Sequence, residues 1–192
     1  MMMGEGCVVI LSGVSSIGKD QVRELLLKDP ELGLMEIISL TTRPKRADEK
    51  DGLDYYFVDH RNFAAAAREH RLLEYTEFNG YYYGTPAEHA EFLMAMGKNV
   101  LICVEAQGVG QIRIKHPDNM AFLLVPTSMA ELEKQVRQRY KDDLSGIALR
   151  LNKAQTELEL AEMFGVCVPL TSDEEAYQTI RTALIGKLNE RR

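Results

Sequence analysis

The sequence predicts an α/β fold: a parallel sheet flanked by helices, interrupted by a smaller inserted lobe. Apolar runs at 8–11, 100–104, 121–125 and 166–168 alternate with segments of helical character, the pattern of a sheet covered on both faces. Shorter strand signals between about 36 and 88 break that rhythm and read as an insertion, so residues 1–192 form one domain, long enough to bury a substantial core.

Each element has a local reason. Residues 8–11 (Val-Val-Ile-Leu) suit a strand buried on both faces. A helix follows over 18–28, with Val22, Leu25 and Leu26 as its apolar stripe. Residues 35–40 and 55–58 are short strands, and 62–70 holds an alanine run of high helical propensity. Strands at 72–78 and 81–83 flank Asn79-Gly80, a dipeptide suited to a two-residue hairpin turn. Residues 86–96 read as a helix with proline in its first turn. The runs at 100–104 and 121–125 are each followed by a helical segment, the second over 129–136. A long helix is expected over 145–163, with Ile147, Leu151, Ala154, Leu158 and Ala161 on one face. A strand at 166–168 and a helix over 174–188 close the chain, which has no repeats or low-complexity tracts.

Composition excludes several classes. The apolar share of 45% and net charge of -6 give no polybasic footprint for nucleic acid or a membrane surface. No apolar run reaches the roughly 18 residues of a membrane span. The run from Cys7 to Leu11 follows the acidic Glu5 and passes into a glycine loop, unlike a signal peptide. Cys7, Cys103 and Cys167 are widely spaced and read as small buried residues of a reducing, cytoplasmic compartment. A homo-oligomer is left open.

Gly13-Val14-Ser15-Ser16-Ile17-Gly18-Lys19 follows the first strand and opens a helix, the setting of a P-loop. Backbone N–H groups of such a loop cradle phosphates, the helix start adds positive potential, and Lys19 reaches the outer phosphates. Asp20 stands where the motif has a Ser or Thr hydroxyl for Mg²⁺. Three readings stay open: weakened ATP binding, a carboxylate replacing the hydroxyl as metal ligand, and stabilisation of the helix start alone.

Downstream, Ser39-Leu40-Thr41-Thr42-Arg43-Pro44-Lys45-Arg46 is followed by Asp54-Tyr55-Tyr56-Phe57 and by Asn79-Gly80-Tyr81-Tyr82-Tyr83-Gly84-Thr85-Pro86. Two arginines with nearby hydroxyls suit a nucleotide phosphate. The order and spacing resemble the GMP-binding segment of guanylate kinases, and the likeness extends over about residues 6–190. The resemblance implies a P-loop NTPase-type fold with an inserted nucleotide-monophosphate-binding lobe at about 36–88 and a lid at about 138–150. It implies that Arg43, Arg46, Tyr55 and Tyr83 hold the GMP phosphate. Ser39 and Thr85 would offer hydroxyls near the base, and Glu74 and Glu105 would face the guanine edge. Carboxylates accept from guanine N1–H and the N2 amine, whereas adenine would present a lone pair there.

ATP would lie on Gly13, Val14, Ser15, Ser16, Ile17, Gly18, Lys19 and Asp20, with Mg²⁺ at Asp20. Lys19, Arg139 and Arg150 would assist in-line transfer from ATP to GMP or dGMP. The chain departs from the family pattern at several places. Ser16 replaces a glycine, Cys103 an acidic residue and Glu105 an aspartate. Val168-Pro169-Leu170-Thr171-Ser172 stands in place of an Asn-Asp pair near the donor base. Two alternatives accompany the kinase reading: a non-catalytic GMP-binding module of the same fold, and a related kinase with another phosphorylated acceptor.

Overall fold

The structure is a computed structural model that describes residues 6–141 and 143–190. Glu5 and Asp142, on which the readings of the amino terminus and of the lid touch, lie outside the described residues. A parallel sheet has the order β2-β7-β1-β8-β9, with β1 at Val8–Gly13, β2 at Met35–Glu36, β7 at Val100–Cys103, β8 at Met120–Val125 and β9 at Val166–Pro169. A second, mixed sheet has the order β4-β3-β6-β5, with β3 at Leu40–Thr41, β4 at Tyr56–Phe57, β5 at Leu72–Phe78 and β6 at Tyr81–Pro86. The helices are α1 (Asp20–Lys28), α2 (His60–Arg68), α3 (Ala87–Ala95), α4 (Ala106–Lys115), α5 (Met129–Arg139), α6 (Leu144–Glu159) and α7 (Asp173–Glu190).

β1 runs through the middle of the parallel sheet, and its alternation divides the core. Val9 and Leu11 pack with Leu26 of α1, Leu132 of α5, Ala154 of α6 and Ile180 of α7. Val8 and Ile10 face the opposite layer with Ala90 of α3 and Val109 and Ile112 of α4. Each of the Val, Leu and Ile side chains taken fully from water contributes roughly 1.5–3 kcal/mol. The mixed sheet is held to this core by α4. Gln111 accepts from the Tyr75 N–H (3.2 Å) and donates to the Tyr75 carbonyl (2.8 Å), and Lys115 donates to the Leu72 carbonyl (2.6 Å). These bonds satisfy the outer edge of β5 that would otherwise lie open.

Several expectations change. The strand expected over 35–40 is two strands in different sheets: Met35 and Glu36 pair with β7, whereas Leu40 and Thr41 pair with β6. The chain crosses between sheets here because Ile37 is buried in the layer beneath β7. Pro86 ends β6 and precedes α3 instead of lying in its first turn. The helix expected over 145–163 stops at Glu159 and tightens into a 3₁₀ turn over Ala161–Met163. The reason is a change of partner. Leu151 and Leu158 pack on the first core layer, while Leu160, Ala161 and Met163 pack on the second, which one straight helix cannot serve. Cys7 is buried and Cys103 half-buried, but Cys167 is exposed, contrary to the buried reading of all three.

α7 is clamped to the end of α1 by Asp29. The carboxylate accepts from Tyr177 Oη (2.8 Å), Arg181 Nε (2.7 Å) and the Glu31 N–H (2.9 Å). Burial pushes its pKa up, but these hydrogen bonds outweigh burial and hold the carboxyl below its usual range. Arg181→Met leaves Asp29 short of a charge partner and is expected to lower the urea midpoint at neutral pH. Asp29→Asn in that background should recover part of the loss; an unchanged midpoint for Arg181→Met removes the clamp from the account of stability.

Candidate functional site

The loop of residues 13–19 leaves β1 at its carboxyl end. Val14 N–H donates to the Leu124 carbonyl (3.2 Å) and Ile17 N–H to the Val14 carbonyl (3.0 Å), which folds the loop back toward the sheet. Ser16 has φ 68° and Gly18 φ 87°. A serine in this left-handed region costs about 1 kcal/mol or more relative to glycine, and its buried Oγ has no hydrogen-bond partner among the described residues. Gly13 is required for packing, since a Cβ there would lie 2.7 Å from the Ile17 Cγ2. α1 opens at Asp20, and Lys19 precedes it without using its side chain as a cap. Asp20 is exposed at the positive end of the helix.

Cys103 ends β7 beside this loop. Burial pushes its thiol up to about 11, with Lys19 and Arg23 opposing and Glu36 and Asp20 reinforcing the shift. It is therefore a neutral thiol at neutral pH. Glu36 is engaged in two bonds by Arg23, through Nε and through Nη2 at 2.6 Å.

A cleft of about 260 Å³ lies beside the loop and takes in Ser39, Arg43, Arg46, Tyr55, Glu74, Tyr83 and Glu105. Local hydrogen bonds set the approach of Arg43. Thr41 Oγ1 donates to the Tyr82 carbonyl (3.0 Å) and accepts from the Arg43 N–H (3.1 Å), and Thr42 Oγ1 accepts from the Tyr82 N–H (2.9 Å). The Arg43 guanidinium pairs with Glu49, Nη2 to Oε1 at 2.6 Å and Nη1 to Oε2 at 3.0 Å. It also lies 5.6 Å from the Tyr55 ring centre. Glu49 further accepts from the Arg46 N–H (2.8 Å). Hydrogen bonding from Arg43 brings the Glu49 carboxyl down to about 2. Arg43 is only 13% exposed and Arg46 69%, so the two arginines are not equivalent.

Glu74 is 3% exposed, and burial pushes its carboxyl up to about 7 against the hydrogen bonds from Thr85. The register of the β5–β6 hairpin places Glu74 opposite Thr85, and Thr85 Oγ1 donates to Glu74 Oε1 at 2.7 Å. Thr85 is fully buried and holds Glu74, so the hydroxyl expected near the base is engaged by the carboxylate. The other oxygen lies over α4: a Cβ on Gly108 would come within 2.6 Å of Glu74 Oε2, so the glycine is what lets this carboxylate in.

A second cleft contains every residue of the stretch 13–20 together with Arg139 and Arg150. Arg139 closes α5, Arg150 lies in α6, and the Arg150 guanidinium stacks 4.1 Å from the Tyr140 ring centre. The two clefts share Lys19, Phe78, Val104 and Glu105 as a common wall. Sequence reasoning missed Glu49, Glu36, Lys153, Glu157 and Gly108. The i,i+3 pair Arg46–Glu49 and the i,i+4 pair Lys153–Glu157 were readable as opposite charges. Neither spacing discloses that Glu157 accepts the Ser15 N–H at 2.6 Å from 142 positions away.

Comparison with known proteins places the chain in a family. A family model described as guanylate kinase matches residues 5–186. The chain is 39% identical to a guanylate kinase of Thermosynechococcus vestitus over 182 residues, covering 94% of each. It is 35% identical to one of Listeria innocua over 180 residues, covering 94% of this chain and 88% of the relative. The solved structure of a guanylate kinase from Anaplasma phagocytophilum superposes with a TM-score of 0.78 at 25% identity, covering 97% of this chain and 88% of that one.

The buried carboxyl of Glu74 makes stability depend on pH. Its folded pKa of about 7 lies above the ordinary 4.5, so the folded state holds the proton more tightly. Stability therefore falls as pH rises from about 4.5 to about 7 and then levels, by on the order of 3 kcal/mol at about 1.4 kcal/mol per unit. Glu74→Gln should remove that slope. Urea titrations between pH 5 and 8 check it; parallel profiles for the two proteins would refute the assignment.

Proposed function

The chain belongs to the guanylate kinase family, enzymes that phosphorylate GMP with ATP, and we propose that its two abutting clefts are the acceptor and donor sites for that transfer. The observation that carries the assignment is their common wall: Lys19 lines both, so a cation stands where two phosphates would meet. In the transfer, an oxygen of the GMP phosphate attacks the γ-phosphorus of ATP in line. The bond to the bridging oxygen breaks, and its electron pair leaves with ADP. No covalent enzyme intermediate is needed, so positioning and charge neutralisation dominate. Lys19, Arg139 and Arg150 supply positive charge around the moving group. dGMP fits the same reading, because the cleft residues invoked address base and phosphate.

Arg43 would meet the acceptor phosphate already oriented by Glu49 and Tyr55, with Arg46 arriving from its exposed position. Tyr55 and Tyr83, whose ring centres are 6.0 Å apart, offer phenolic hydroxyls beside it. Glu74 and Glu105 would accept from the guanine edge, with Ser39 nearby. Thr171 and Ser172 spend their side chains on the start of α7: Thr171 donates to Glu175, and Ser172 Oγ accepts the Glu175 N–H at 3.2 Å. Donor recognition would then rest on the phosphates more than on these side chains.

Guanylate kinases generally use a divalent metal such as Mg²⁺. Among the described residues no three His, Cys, Asp or Glu side chains gather into a metal cage. That donor set fits an ion which arrives on nucleotide phosphates and keeps most of its waters. Asp20 is the carboxylate that would hold it: it opens into the donor cleft, whereas Glu36 is taken by Arg23 and Cys103 is a neutral thiol. When bound, Mg²⁺ offsets the mutual repulsion of the phosphates. No described helix is long and apolar enough to cross a membrane, and a cytoplasmic location is part of the proposal.

A coupled assay with ATP, Mg²⁺ and a panel of monophosphates should show GMP and dGMP preferred over AMP, CMP and UMP by about 100-fold or more. Equal turnover of AMP and GMP would sink the base assignment. Asp20→Ala should cut Mg²⁺-dependent turnover sharply while GMP titrates nearly as in wild type; unchanged turnover and ATP affinity would make Asp20 a helix-start residue only.

Arg43→Ala should weaken GMP binding by about 2 kcal/mol or more. Because Arg43 is largely buried, the same change should also lower stability by leaving Glu49 unpaired. Adding Glu49→Gln should restore melting temperature without restoring GMP affinity; recovery of both would assign Arg43 a purely structural role.

A further inference from the structure

Lys153 lies on α6 one turn beyond Arg150, at the point where the two clefts meet. Its ammonium is 2.7 Å from Glu105 Oε1 and 3.9 Å from Glu157 Oε1. It also lies 3.5 Å from the centre of the Phe78 ring, at the end of β5. One side chain thus joins the lid helix, the base of α4 and the tip of the β5–β6 hairpin. It is 17% exposed, so the contact is shielded more than an ordinary surface ion pair.

Glu105 needs such a partner. It precedes α4 at the capping position but makes no side-chain cap. Lys153 supplies its hydrogen bond, to Oε1 alone, which leaves Oε2 for a donor from a substrate. A glutamate arm has more rotamers than a shorter carboxylate, and an ammonium at hydrogen-bond distance selects among them. The elements involved come from both sides of the cleft: Glu105 belongs to the core, and Lys153 shares a helix with a lid arginine.

We propose that Lys153 is a positioning residue that ties the lid helix to the base-reading carboxylate Glu105, so that closing the lid and recognising the acceptor base favour one another. The proposal rests on the reading of Glu105 as part of the acceptor site. The pair is already formed at 2.7 Å, so a lid held closed by ATP would keep Lys153 on Glu105 and the carboxylate oriented for guanine. Guanine bound to Glu105 holds the carboxylate where Lys153 can seat the lid. Linkage makes the effect reciprocal: whatever factor ATP adds to GMP affinity, GMP adds to ATP affinity.

The test is calorimetric titration of the full chain with GMP, with and without a non-hydrolysable ATP analogue. Wild type, Lys153→Met, Lys153→Gln, Lys153→Arg, Glu105→Gln and the Lys153→Met/Glu105→Gln double variant are compared. Wild type should bind GMP more tightly when the analogue is present. Lys153→Met and Lys153→Gln should lose about tenfold in GMP affinity, lose more for GMP than for the analogue, and lose the mutual enhancement. Lys153→Arg should keep most of both. In the Glu105→Gln background, Lys153→Met should add little. Melting temperatures identify any variant that fails to fold, and the Gln variant decides if the Met variant does.

Wild-type GMP affinity and enhancement in both neutral variants would overturn this proposal alone, as would an undiminished Lys153 effect without the Glu105 carboxylate. Failure of wild type to bind GMP would overturn the acceptor-site reading and this proposal with it.

Discussion

β1 is hydrogen-bonded on both edges, to β7 and β8, and packed on both faces, so its carboxyl end cannot shift without disturbing both core layers. The phosphate-type loop begins there, Cys103 ends the neighbouring strand, and Glu105 follows two residues on. The cleft proposed for the donor and the wall it shares with the second cleft are therefore built on one rigid edge. Carboxyl ends of parallel strands are where open α/β sheets place ligands, because the loops there diverge while the strands below stay fixed. The mixed sheet brings the remaining acceptor residues to that edge, and α4 holds it through Gln111 and Lys115.

Several charges around this edge are kept in internal pairs. Arg43 holds Glu49, Arg23 holds Glu36, Lys153 holds Glu105, and Glu157 accepts from the loop at Ser15. Glu74 has Thr85 as its hydrogen-bond partner and meets its burial by holding its proton more tightly. Internal pairing stops long side chains from wandering and keeps the desolvation of each charge compensated. It also sets the terms of binding. A phosphate approaching Arg43 meets a guanidinium that Glu49 already orients, and it competes with that carboxylate for the donors. Preorganisation of this kind makes each substrate contact depend on a neighbour that never touches substrate.

How far the sequence could be read follows from the range of each signal. β1, the glycine loop and the Asn79-Gly80 hairpin were legible because each is decided within a few residues; φ values of 53° and 76° at the turn are what that dipeptide favours. Most of the residues that spacing singled out, Arg43, Tyr55, Glu74 and Tyr83 among them, do line one cleft, and their role toward an acceptor is the proposal. Thr85 belongs with them for a different reason, as the support of Glu74. The division of 35–40 between two sheets and the break of α6 before its final turn were not legible. Both depend on which core layer a side chain enters, and an apolar residue reads the same for either. Arg43–Glu49 was hidden by a turn that contracts six residues, and Lys153–Glu105 by 48 residues of intervening chain.

The departures in the donor cleft form one electrostatic argument. On the resemblance read from the sequence, β7 carries a thiol at Cys103 where a carboxylate is expected, and α1 carries a carboxylate at Asp20 where a hydroxyl is expected. The thiol is buried and held neutral, so the strand no longer projects negative charge toward the loop. At Asp20 the gained charge meets the start of a helix, whose free N–H groups favour an anion by about 0.3–1 kcal/mol. That small gain is available to any acidic residue in a first turn and does not explain why one faces nucleotide phosphates. Two like charges a few ångströms apart repel by more than the helix end returns unless a cation lies between them. Lys19 is next in the chain but lines the junction with the acceptor cleft, where it is needed between the two phosphates. In the proposed reading a divalent ion on the phosphates is the remaining cation of the right charge, and a carboxylate at position 20 would meet it from the helix end. Under that proposal the loop keeps its charge balance with the oxygen donor on the helix wall of the cleft.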